Sequence, residues 1–210
     1  WYFYDIAEFQ LLRGHPVSSV EVFREGIERA ESMAALHGSL LIKIEMADAL
    51  YHALKLDQAG VMLEEVEDLA HKFRETKVLD DAALIRVELA MEAGQLAMAR
   101  DTLNALLYRR PDNPSVALIN SYLLELEHNI TDALTEVSRA HELLGDRSMS
   151  SIIDTSVVAT MDEIQLQSDW LRCRAEDGDW ESIIGPRIQE LDPRSAFRAT
   201  GAGPTRSSGR

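Results

Sequence analysis

Apolar and small residues recur at helical spacing through most of the chain, interrupted at short intervals by turn residues. Residues 82–114 show the pattern most clearly. Leu84, Val87, Ala90 and Met91 lie along one helical face, and the run breaks at Glu92-Ala93-Gly94-Gln95. A second periodic run (Leu96, Ala99, Leu103, Leu106, Leu107) stops at Pro111-Asp112-Asn113-Pro114. Two amphipathic helices joined by a glycine turn and closed by prolines make one helical hairpin. Neither helix can bury its apolar stripe alone, so the hairpin requires neighbours of its own kind.

The same reading divides the rest of the chain into hairpins at 1–31, 40–74, 82–113, 115–145 and 157–193, with a disordered tail at 194–210. Within them the pattern predicts helices at 1–13 and 17–30, at 40–54 and 58–74, at 116–127 and 132–144, and at 157–176 and 180–191. Residues 32–38 read as a loose joint and 76–81 as a linker. Pro16 fits the start of its helix, where the missing N–H has no intrahelical partner to lose.

Aligning the hairpins exposes a repeat. Each second helix carries an early small residue at Ser19, Ala59, Ala99 and Ala133, spaced by 40, 40 and 34 residues. Four positions later come Phe23, Leu63, Leu103 and Val137, and three further Gly26, Val66, Leu106 and Ala140. Twelve before the small slot, Ala7, Ala47, Val87 and Ser121 recur in the first helix. Small side chains at these places let helices approach closely. In this pattern the chain resembles the tetratricopeptide repeat (TPR) family, best over Ala90 to Pro111, where Gly94, Ala99, Leu103 and Pro111 fall at family spacing. Leu106 departs from the family's usual small residue. The resemblance covers residues 1–145 as four units, with 157–193 as a degenerate fifth. It implies an all-α fold, a right-handed superhelical solenoid of helical hairpins.

Composition narrows the class. The chain has 46% hydrophobic, 27% charged and 6% aromatic residues, values that suit packed helices. No apolar run reaches the roughly 20 residues of a membrane span. The first residues carry Asp5 and Glu8 without a basic lead-in or cleavage pattern, so they do not read as a signal peptide. Because residue 1 already reads as helical, the chain is expected to start inside a longer protein, and a cytoplasmic location is expected. The single cysteine, Cys173, excludes an internal disulfide framework and reads as a small hydrophobe packed beside Trp170. Net charge is −15, and residues 194–210 hold four arginines and no acid, so the body is more acidic still. Such a body repels phosphate backbones and anionic membranes, and neither a nucleic-acid nor a membrane partner is expected.

Candidate chemistry is sparse. The six histidines show no HExxH spacing, and there is no P-loop, GxSxG or dinucleotide fingerprint. Catalytic residues, cofactors and a metal site are therefore not expected. Asn129-Ile130-Thr131 matches a glycosylation sequon, which reads as chance without a signal peptide. The methionines read as core filler. In TPR proteins the first helices of successive hairpins line a groove that holds an extended peptide or a partner helix. Carried onto this chain, one groove row holds Glu8, Asp48, Glu88 and Tyr122, and neighbouring rows add Tyr51, Met91 and Glu125, with His52 and Glu92 beside them. The basic clamp by which one TPR subtype holds a terminal carboxylate is missing, since the corresponding slots are Tyr4, Ile44, Leu84 and Leu118.

The expected function is non-catalytic protein–protein interaction, as an adaptor, scaffold or chaperone-like module that takes a basic, partly apolar segment in an acidic concave groove. The competing readings are a regulatory or sensor region of a larger signalling or transcription-regulating protein and, behind it, a helical enzyme with a site between repeats. A homo-oligomer through the terminal repeats is a further possibility of the same architecture.

Overall fold

A computed structural model describes residues 2–145 and 161–175. These residues form nine α-helices, and no strand occurs among them: α1 (Tyr2–Leu12), α2 (Pro16–Ser32), α3 (Leu36–His52), α4 (Leu56–Phe73), α5 (Thr76–Glu92), α6 (Leu96–Arg109), α7 (Pro114–Leu126), α8 (Ile130–Gly145) and α9 (Met161–Ala175). The helices group into two compact units whose boundary falls within α5, between Leu89 and Ala90. In the first unit α2 packs on α1, α3 on α2 and α4 on α3. In the second, α6, α7, α8 and α9 pack in succession, and α7 also meets α9.

The fold is all-helical and repeat-like, and every slot of the repeat register lies inside. Ala7, Ala47, Val87 and Ser121 are fully buried, as are Ser19, Ala59, Ala99 and Ala133. The Ser19 hydroxyl donates to the Ala7 carbonyl at 2.8 Å, so the small pair of the first hairpin is also a hydrogen bond. At Gly26 an added Cβ would lie 3.0 Å from the Phe3 Cβ, which explains why that slot takes glycine.

The turns are more regular than the sequence suggests. The expected loose joint at 32–38 is a tight turn, and α3 starts at Leu36. The expected linker at 76–81 is not a linker but the first turns of α5. The turn expected at Lys55-Leu56-Asp57 falls earlier, because α4 already begins at Leu56. A left-handed residue follows α1 to α5 at Gly14, Ala34, Leu54, Arg74 and Gly94, twenty residues apart each time, and another follows α7 at His128. At each, the N–H of the left-handed residue bonds back three residues and the next N–H bonds back five, as in Ala34 to Glu31 (2.9 Å) and Ala35 to Ala30 (2.8 Å). This paired closure satisfies carbonyls that the helix end would leave unbonded.

One joint differs. Between α6 and α7 the chain passes Pro111, and the Asn113 side chain caps α7 by accepting from the N–H of Ser115 at 2.8 Å, with Pro114 in its first turn. Helix α6 ends ten residues beyond Ala99, whereas α4 runs fourteen beyond Ala59. Helix α7 begins seven residues before Ser121, whereas α5 begins eleven before Val87. Each helix has lost about one turn at the joint, and a longer connection returns two residues. That accounts for a spacing of 34 instead of 40 with the buried register kept. The sequon residue Asn129 serves α8 instead, its Oδ1 accepting from the Asp132 N–H at 3.3 Å.

The expected limits of the first four hairpins shift by a few residues at their helix ends, and residues 157–160 and 176–193 of the fifth hairpin and the tail lie outside the described residues. Two expectations about side chains divide. Cys173 is buried on α9. Of the methionines, Met46 and Met91 are buried, but Met33, Met98 and Met161 are exposed and are not core filler. No helix among the described residues is long and apolar enough to cross a membrane.

Candidate functional site

The nine expected groove residues fall in both units: Glu8, Asp48, Tyr51, His52 and Glu88 in the first, Met91, Glu92, Tyr122 and Glu125 in the second.

In the first unit the residues are far less solvated than a charged surface row would be. Asp48 is 0% exposed, His52 2% and Glu88 7%, with Tyr51 also buried and Glu8 half-buried. The His52 Nε2 lies 3.4 Å from Asp48 Oδ1, one helical turn apart, and the Tyr51 and His52 rings sit 5.3 Å apart between centroids. Two further acids join them that the groove rows did not include, Glu45 at 1% and Asp81 at 3% exposed. Glu45, Asp48 and His52 follow i, i+3, i+7 on α3, and Asp81 and Glu88 follow i, i+7 on α5. That spacing is readable in the sequence and places each set along one helical face. Asp81 escaped notice because it sat in the expected linker.

Two cations of this unit reach to other helices. Lys43 on α3 reaches Glu31 of α2 and Glu65 of α4, both at 3.1 Å. Burial pulls the Lys43 ammonium's pKa down, but hydrogen bonds and charge from both carboxylates outweigh it, and the net shift is upward. Arg86 on α5 makes a two-pronged contact with Glu67 of α4, its Nη2 donating to Oε2 at 2.9 Å, and this pairing raises the guanidinium's pKa. No lysine or arginine among the described residues is as deeply buried as the four acids of α3 and α5.

In the second unit, Glu125 is committed to α9. Its carboxylate accepts from Gln167 Nε2 (2.9 Å), Trp170 Nε1 (2.5 Å) and Arg174 Nη1 (2.7 Å). Gln167, Trp170 and Arg174 stand at i, i+3, i+7, one face of α9 directed at a single side chain of α7. Glu125 is therefore an internal clasp and not an open acidic foothold. Tyr122 is half-buried against the cluster of Leu118, Val137, Ile164 and Leu171. Met91 is buried. Glu92 is half-buried, and loss of water raises its carboxyl to about 7.

No group of three or more His, Cys, Asp or Glu among the described residues is arranged to hold a metal ion. The buried acids of the first unit are distributed along α3 and α5 rather than gathered on one point. Comparison with protein-family models, with curated proteins and with solved structures gives no match.

Proposed function

We propose that this chain is a non-catalytic protein–protein interaction module of the TPR type, a right-handed superhelical solenoid of helical hairpins that works as an adaptor, scaffold or chaperone-like element. Its first unit takes a basic, partly apolar segment along α3 and α5. The observation that carries this reading is the concentration of buried carboxyl groups on those two helices, at Glu45, Asp48, Asp81 and Glu88. Each of these acids already has an interaction within the chain, so an incoming cation adds to or displaces contacts already made. A positive segment would recover electrostatic energy in a low-dielectric setting, where each contact counts for more than in water. Its charge would set register and on-rate, while the half-buried Tyr4 supplies aromatic surface.

The burial of Asp48 decides how the reading is tested. A lysine there would force a much longer side chain of opposite charge into the interior and disrupt the fold, so the neutral, near-isosteric pair Asp48→Asn/Glu88→Gln is the right variant. Fluorescence anisotropy is read with a labelled peptide alternating arginine and leucine, and with its glutamate-for-arginine counterpart. The arginine peptide is expected to bind, to weaken with added salt, and to lose about tenfold in affinity in the double variant, the loss of one charged contact. Equal affinity for the variant, with helical circular dichroism retained, would overturn the acidic-groove reading.

A further inference from the structure

A pocket on the second unit is independent of the first unit's acids. Between α8 and α9 the surface opens into a pocket of about 240 Å³. Val137 and Ile164, each 1% exposed, form its floor. Its walls carry Ser138, His141 and Glu142 from α8, and Gln165, Ser168 and Arg172 from α9. The volume falls below the roughly 300–1,000 Å³ typical of drug-sized ligands, which points to a small metabolite.

The hydrogen-bond inventory of the walls defines the ligand. Ser138 spends its proton on the Leu134 carbonyl at 2.9 Å, so towards the pocket its oxygen is an acceptor. Gln165 directs its amide N–H to Asp169 at 3.1 Å, which leaves its carbonyl oxygen as a second acceptor. Glu142 is a third, and it carries a negative charge. On the donor side stand the Arg172 guanidinium and the Ser168 hydroxyl. Neither Arg172 nor Glu142 forms an ion pair among the described residues, with each other or with a third group. His141 can act either way, according to its tautomer.

The walls thus present one fixed positive group with donors and one negative group with acceptors, over an apolar floor. A simple anion would satisfy Arg172 and face Glu142, and a simple cation would do the reverse. A zwitterion satisfies both. We propose that the α8–α9 pocket binds a free α-amino acid with an apolar side chain. Its carboxylate bonds to Arg172 and Ser168, its ammonium to Glu142 with the Gln165 or Ser138 oxygen, and its side chain covers Val137 and Ile164. Charge-assisted bonds at both ends give the orientation, and the floor selects the side chain.

Isothermal titration calorimetry on the full chain tests this with three probes. L-leucine carries both charges, 4-methylpentanoate lacks the amine, and 3-methylbutylamine lacks the carboxylate. Leucine is expected to give a saturable heat, and each half-molecule to bind at least about tenfold more weakly, the loss of one charge-assisted contact. Arg172→Gln and Glu142→Gln should each lower leucine affinity by about the same factor. Both side chains are exposed, so the variants are expected to fold as the parent does, which circular dichroism verifies. No saturable heat with leucine, or unchanged affinity in both variants, would overturn the site. Binding of 4-methylpentanoate as tight as that of leucine would overturn the zwitterion and leave a plain anion pocket.

Discussion

The left-handed residues that close the helices are where single side chains matter most. Gly14 and Gly94 adopt that conformation without steric cost, but Ala34, Leu54, Arg74 and His128 place a Cβ against the following carbonyl. Leu54 is 58% exposed, so its side chain returns little burial energy. Leu54→Gly is therefore expected to stabilise the chain by about 0.5–1 kcal/mol, the left-handed strain relieved less the entropy of glycine, read as a higher urea midpoint at unchanged slope. A lower midpoint would mean that the Leu54 side chain matters more than its backbone. The two glycine turns were legible in the sequence. The breaks at Leu54 and His128 were legible too, but their left-handed backbone was not, nor were the tight turns at Ala34 and Arg74, because a non-glycine residue carries no mark of the backbone angle that a tight helix end forces on it. Glu92 is a second site of single-residue consequence. Burial raises its native pKa to about 7, above the ordinary value of 4.5. The native state therefore holds this proton more tightly than the unfolded chain, an advantage complete below about pH 4.5 and lost as the pH rises through about 7. Glu92→Gln should raise the melting temperature at pH 8 and have little effect at pH 4.5. An equal shift at both values would contradict the desolvated carboxyl.

Among the elements, α9 shows how much of a helix's place is invisible from its own pattern. The spacing of Gln167, Trp170 and Arg174 announces a face, but its target, Glu125, is 42 to 49 residues away in the chain. The reading that put Glu125 in an open groove followed from repeat register alone. Register says which side of a helix a residue is on and nothing about what covers it. Removing the clasp should loosen α9. Glu125→Ala leaves the buried Gln167 amide and the Trp170 N–H without their acceptor, a cost of about 1–3 kcal/mol. Hydrogen–deuterium exchange is expected to quicken across residues 161–175 more than across α8. Unchanged protection of α9 would show that Ile164 and Leu171 hold it by packing alone. The small-residue slots, by contrast, were fully legible, since close approach of two helices leaves no other solution at Ala47 and Ala59 or at Ser121 and Ala133. The misread stretch at 76–81 has an identifiable cause. Helix beginnings are naturally polar, so Thr76, Lys77, Asp80 and Asp81 look like a linker until the preceding cap fixes where the next helix must start.

At the scale of the whole molecule, the packed helix pairs within each unit are chiefly neighbours in sequence, and where packing is confined to neighbours stability is close to a sum of neighbour terms. The twenty-residue step of the caps from Gly14 to Gly94 sets the grain of that sum. A single residue inserted inside α4 would turn everything after it by about 100°, carrying Leu63, Val66 and Ala70 off their buried face. Added length is neutral only as a complete helix with its cap, or as a matched pair of them, the quantum in which a gene segment can be duplicated without disturbing its neighbours. The joint at Arg110–Asn113 is the exception. There the two flanking helices have already given up a turn apiece, and the Asn113 cap restarts α7 regardless of what precedes it. It is the joint along residues 2–145 where a side-chain cap of its own restarts the next helix, and so the one to try first as a seam for engineering.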